Sequence, residues 1–146
     1  MTREQNFQTS FSSQLAAYSS WHFLPDFDVK KLPLDEFPAF SLNPGKTKYT
    51  KFDPTGKAIS GEQDFTIVVS YLIQHVGDNA LGAHSDITNL IEQFINNPVY
   101  SPPAITFGDT CCINQCVLID CKPPVMQFDE TRFQAIINAK YIFTIF

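Results

Sequence analysis

The chain has 146 residues, enough for one domain whose hydrophobic core needs no disulfide or metal to hold it. It is 44% hydrophobic, 14% aromatic and only 17% charged, with fourteen Phe and ten Pro, a composition that excludes intrinsic disorder. A net charge of −5 argues against general nucleic-acid binding, because neutralising phosphates takes a basic stripe.

The charges are unevenly placed. Ala58 to Cys121 contains no Lys or Arg, while Glu62, Asp64, Asp78, Asp86, Glu92, Asp109 and Asp120 make it uniformly acidic. Just before it, Lys46, Lys48, Lys51 and Lys57 stand against Asp53 alone. A basic arm beside an acidic body suits docking of one copy onto the next, although two ordinary solvated faces would give the same composition. The N-terminus lacks the apolar region of a secretory signal, and no run approaches the roughly 18 apolar residues of a membrane span. The expectation is a soluble protein made in a cytoplasm.

Residues 1–24 are polar with scattered aromatics and read as a loosely ordered segment. A short helix over Ser10–Tyr18 would align Phe11, Leu15 and Tyr18, but its Ser content weakens it. Pro25 to Leu32 opens like a helical turn capped by Asp26 and broken by Pro33. Phe37–Leu42 is short and extended, with Pro38 at its start. Asn43-Pro44-Gly45 and Asp53-Pro54-Thr55-Gly56 are turn signals, and residues 43–62 read as an exposed arm or hairpin.

Phe65 to His75 is the clearest strand, with Phe65, Ile67, Val69, Tyr71 and Ile73 on one face and Val68 and Leu72 on the other. Gly77–Ala83 reads as loop, after which Ser85 or Asp86 caps a helix through Ile87, Leu90, Ile91 and Phe94. Asn96-Asn97-Pro98 stops that helix. Short strands follow at Ala104–Phe107 and Gln115–Cys121, with a break at Pro123-Pro124. Phe133–Phe146 alternates as a strand, with a helix over Asp129–Ala139 as its rival. The whole is an α+β domain with a mostly antiparallel sheet, one main amphipathic helix packed on a face, and the arm.

Chemistry-bearing residues are scattered. Cys111, Cys112, Cys116 and Cys121 fall within eleven residues with no His beside them in sequence. If Gln115–Cys121 is a regular strand, Cys116 and Cys121 point to opposite faces, which makes one tetrahedral site hard to build. Buried free thiols are the preferred reading, with a disulfide or a metal as alternatives. His84-Ser85-Asp86 matches a catalytic trio in composition only, since adjacent residues at a helix start cannot form a relay. Asp26 with Asp28, and Asp35 with Glu36, read as cap and surface charges. No catalytic, cofactor-binding or metal-binding residue is assigned, and no cofactor is expected.

The order of segments resembles a class of tailed-bacteriophage neck and tail virion proteins, the tail terminators or tail-completion proteins. The likeness rests on the extended Pro25-Asp-Phe-Asp-Val-Lys-Lys-Leu, and on the strand at Ala39-Phe-Ser-Leu-Asn-Pro-Gly followed by the charged arm. It continues through the long strand Asp64-Phe-Thr-Ile-Val-Val-Ser-Tyr-Leu-Ile-Gln, the helix Ile87–Ile95 and the final strand led by Phe133. The cysteine-rich segment departs from that pattern.

The resemblance implies a virion protein, assembled in the host cytoplasm, that forms a homo-oligomeric ring, a hexamer, at the neck–tail junction. Its partners would be tail-tube and neck or connector proteins, and DNA would pass through an acidic lumen without specific binding. It would act by assembly, not as an enzyme. The expected oligomer interface comprises Lys46, Lys48, Lys51 and Lys57, with Glu62 and Asp64 as complement. Alternatives are another ring-forming virion subunit (connector, tail tube or baseplate), a disulfide-stabilised extracellular binding module, or a small hydrolase or ligand-binding domain.

Overall fold

The first helix is longer than the sequence suggests, and a capping box explains why. The computed structural model describes residues 2–25, 38–72, 80–96, 105–107, 111–123, 125–126 and 132–145. Helix α1 spans Arg3–Ser19. The Gln5 N–H donates to Thr2 Oγ1 (3.2 Å), and the Thr2 N–H donates to Gln5 Oε1 (2.9 Å). Two of the unpaired donors at the helix start are thereby satisfied. Phe7, Phe11 and Leu15, one turn apart, are buried. Residues 3–19 are thus a docked helix rather than a loosely ordered segment: burial of the aromatic stripe overrides the weak propensity of its Ser residues. The helix ends at Ser20, whose φ of 64° is left-handed and whose N–H donates to the Ala16 carbonyl.

The strands are β1 (His22–Phe23), β2 (Ala39–Phe52), β3 (Ala58–Leu72), β4 (Ile105–Phe107), β5 (Cys111–Cys121), β6 (Val125–Met126) and β7 (Arg132–Ile145). They form one sheet in the order β1-β2-β3-β7-β5-β4, with β6 also paired to β7. β1 runs parallel to β2, and the other described pairings are antiparallel. With two described helices this is an α+β fold with a mostly antiparallel sheet.

On β7, Ala135, Ile137, Ala139, Tyr141 and Phe143 are buried while the residues between them are half-exposed, so period two prevails over the rival helix. Phe65, Ile67, Val69 and Tyr71 of β3 join that buried face. Val68, Ser70 and Leu72 are buried on the other side.

Helix α2 spans Ala80–Asn96 and packs Ala83, Ile87, Ile91, Phe94 and Ile95 into the core. Its apolar stripe begins one turn earlier than expected, at Ala83. Ser85 and Asp86 therefore lie inside the helix, exposed, and are not its caps, and residues 80–83 are helix rather than loop. The Phe11 ring meets Phe94 edge-on at 5.3 Å and Phe65 at 5.4 Å, which ties α1, α2 and the sheet into one core. The turn expected at Pro25–Leu32 with its Asp26 cap lies largely outside the described residues, as do Ile73 to His75, Asn97 and Pro98.

Candidate assembly interface

Only the tip of the β2–β3 hairpin, residues 52–58, reaches past β7; residues 43–51 of the expected arm lie on β2, level with the part of β3 that β7 pairs. β7 last pairs with β3 at Ser60↔Thr144, whereas β2 and β3 stay paired out to Phe52↔Ala58. Asp53-Pro54-Thr55-Gly56 forms the turn. Asp53 Oδ1 accepts from the Thr55 N–H (2.8 Å), the Thr55 hydroxyl (2.6 Å) and the Lys57 N–H (2.9 Å). These donors, Thr55 and Lys57 first, hold the carboxyl below its ordinary pKa. Gly56 takes the left-handed φ of 89° that closes the turn.

Asn43-Pro44-Gly45 is not a turn. It lies within β2 at a register shift between Pro44 and Thr47, where proline cannot donate to the ladder. Buried Gln63 repairs the gap. Its Nε2 donates to the Gly45 carbonyl (2.7 Å) and the Asp64 carbonyl (3.2 Å). Its Oε1 accepts from the Thr47 hydroxyl and from Arg3 Nη2. Arg3 also stacks 3.7 Å from the Phe143 ring centroid, so the start of α1 grips the base of the arm. Tyr49 meets Phe143 edge-on at 6.3 Å. Gly61 lies beneath this stack: a Cβ there would come within 2.6 Å of Phe143 Cζ and 2.8 Å of the Lys48 carbonyl oxygen.

Lys46, Lys48, Lys51 and Lys57 are all exposed on this arm. The arm also carries three exposed large apolar side chains, Tyr49 (48% exposed), Phe52 (58%) and Ile59 (38%). Glu62 and Asp64 are half-buried at its base. The Glu62 carboxylate lies 3.3 Å from Lys140 Nζ, and Asp64 is the register partner of Lys140, so both face a cation of their own chain.

A second feature lies across the sheet, between α2 and β5. The register there shifts between Leu118 and Asp120, making Ile119 an inserted residue that is half exposed. This bulge overturns the expected placement of the cysteines. Cys116 pairs with Tyr141 and Cys121 with Ile137, so both share the face that looks toward the helices. Those partners are four positions apart on β7, about 13 Å, too far for a disulfide or a shared metal ion. Both are free thiols.

The bulge also brings Cys121 Sγ to 3.6 Å from His84 Nε2, a proximity that sequence distance conceals. Burial lowers the His84 pKa, opposed by the Lys122 backbone. Burial, then the Asp120 and Glu92 charges, raises that of Cys121. Both shifts favour a neutral pair, the opposite of the thiolate–imidazolium couple that nucleophilic chemistry needs. Cys116 is buried deeper and pushed up to about 12 by that burial.

A groove of about 160 Å³ opens here, with Ile91, Leu118 and Ile137 among its apolar residues and Glu92 and Asp120 among its polar ones. A hollow of about 110 Å³ lies by the start of α1, lined by Glu4, Phe7, Leu42, Gln63 and Tyr141 among others. Both fall short of the roughly 300–1,000 Å³ of small-molecule sites. Among the described residues, no group of three or more His, Cys, Asp or Glu gathers to hold a metal, and no helix is long and apolar enough to cross a membrane. No model of a known protein family matches the chain, and no curated protein matches it.

Proposed function

We propose that this chain is a structural subunit of a tailed-bacteriophage virion, a tail terminator that closes into a homo-oligomeric ring, a hexamer, at the neck–tail junction. It acts by assembly rather than catalysis. The observation that carries the reading is the arm: a hairpin whose tip outreaches the sheet, with four exposed lysines along it and in its tip beside exposed Tyr49, Phe52 and Ile59. Apolar side chains exposed together with predominantly basic charge on one hairpin are the mark of a surface finished by a partner.

A ring needs head-to-tail contacts, with different patches meeting at each joint. The arm provides one such patch. The tail tube and the connector proteins would meet the ring above and below, and acidic side chains lining the lumen would let DNA pass without sticking.

Reversing three arm charges together, Lys46→Glu, Lys48→Glu and Lys51→Glu, tests the reading. Tail assembly and ring formation, scored by electron microscopy, should be lost while the thermal midpoint of the isolated chain stays near that of the wild type. Normal assembly by the triple variant would sink the proposal.

A further inference from the structure

We infer that the tip of the arm docks into the α2–β5 groove of a second copy of this chain, with the Phe52 ring as anchor and the tip lysines against Glu92. The inference rests on the ring reading above and names the joint through which the ring closes.

Size comes first. An apolar cavity of about 150 Å³ holds a benzene ring. The groove, at about 160 Å³, is the size of one phenyl group, and Ile91, Leu118 and Ile137 supply its apolar lining. Of the aromatics on the arm, Tyr49 already packs on Phe143, whereas Phe52 stands at the tip and is 58% exposed. Ile119, 50% exposed at the bulge, supplies further apolar surface to a ring seated beside it.

Charge selects the same pairing. α2 contains no Lys or Arg and carries Asp86 and Glu92, and β5 contributes only Asp120. Asn138 Nδ2 donates to Asp120 Oδ1 at 2.6 Å, and Asn138 lies between Ile137 and Ala139 on the face of β7 away from the helices, so Glu92 of α2 is the carboxylate on the groove side. Lys122, just past β5, is the one cation beside Cys121 in sequence. Lys51 and Lys57 flank Phe52 across the hairpin turn, while the Asp53 carboxylate is engaged by the turn's own donors, so a tip seated in the groove sets its lysines against Glu92. Charge pairs around an apolar anchor fix partner and register more than they add affinity.

Geometry makes the contact intermolecular. The groove lies level with Ile137, whose β3 partner is Ile67, while the tip lies level with Ala58. Nine residues of strand separate those levels, about 30 Å, so the arm of a chain cannot reach its own groove. Arm and groove also lie toward opposite edges of the sheet, β2 on one side and β5 on the other. A contact from one edge to the other is head-to-tail and propagates into a ring. One aromatic buries only about 150–250 Å², far below a stable dimer interface, so each joint is weak alone and ring closure makes it persistent.

Photo-crosslinking of the full chain tests the joint directly, with p-benzoyl-phenylalanine in place of Phe52. Mass mapping should find covalent dimers joined through the segment Ile91–Glu92 or Leu118–Cys121. Cross-links to another part of a second copy would overturn the groove assignment and leave the ring reading standing. Absence of any intermolecular cross-link would overturn both. A charge exchange gives a second readout. Lys51→Glu with Lys57→Glu, and separately Glu92→Lys, should each weaken self-association at least tenfold, and an equal mixture of the two variants should recover it. An unaffected Glu92→Lys variant, or a mixture that fails to recover, would overturn the groove assignment.

Discussion

Phe11→Ala is the substitution that tests whether α1 belongs to the core. The Phe11 side chain is fully buried and touches Phe7 (5.1 Å), Phe65 (5.4 Å) and Phe94 (5.3 Å), one ring from each of three elements. Truncating a buried Phe costs about 3–5 kcal/mol, as lost transfer free energy plus the cavity left behind. The upper part of that range applies here, because strands on one side and helices on the other limit collapse. Against a total of about 5–15 kcal/mol for a domain, the loss lowers the thermal midpoint by roughly 10–20 °C at this chain length. The assay is urea unfolding followed by the fluorescence of Trp21, the chain's one tryptophan, which is buried just after α1. Ser13→Ala, on the exposed side of α1, is the control and should stay within about 0.5 kcal/mol of the wild type. A loss below about 1 kcal/mol for Phe11→Ala would refute the docking of α1.

Three further outcomes follow from the arm and the cysteines. Gly61→Ala drives a methyl into Phe143 and the Lys48 carbonyl, and should cost about 1–3 kcal/mol in the same unfolding assay; a neutral effect would mean the Tyr49–Phe143–Arg3 stack is not formed. The Asp53 carboxyl is held below 3.8, so the turn keeps its acceptor at neutral pH and loses it as pH falls through that lowered value. The amide resonances of Thr55 and Lys57 should titrate with a midpoint below 3.8, and a midpoint at or above it would contradict the turn. The Cys116 thiol, pushed up to about 12, stays protonated in the folded chain, while the unfolded chain ionises it near 9.0. Iodoacetamide at pH 8 should therefore spare Cys116 until urea unfolds the chain, and folding stability should fall as pH rises above 9. Rapid native alkylation at Cys116 would show that it is not buried.

Elements whose burial follows a simple period were legible in the sequence. β7 alternates cleanly, β3 carries a period-two apolar face, and α2 repeats at helical spacing, so three of the main core elements could be read from side-chain type alone. The hairpin turn was legible from Asp53-Pro54-Thr55-Gly56, whereas the charges concealed that residues 43–51 and 60–62 stay within the sheet and only the tip projects. What the sequence hid has local physical causes. α1 was underestimated because its propensity is poor, and its stability comes from the Thr2–Gln5 cap and from aromatic burial against residues more than fifty positions away. Asn43-Pro44-Gly45 reads as a turn, but Gln63 satisfies the backbone around the proline and keeps the strand running.

The bulge at Ile119 was the largest blind spot. One inserted residue changes the parity of everything beyond it, which moved Cys121 onto the face of Cys116 and beside His84. The groove exists only once that register is known. The four lysines of the expected interface do share one element, whereas Glu62 and Asp64 sit against Lys140 of their own chain. The exposed acid on the groove side is Glu92.

The most direct measurement is the oligomeric state of the purified chain, alone and with isolated tail tubes, by electron microscopy with light scattering. The proposed ring joint predicts closed rings whose neighbouring subunits are joined arm to groove. A monomer at high concentration that also fails to form a ring on tail tubes would contradict it.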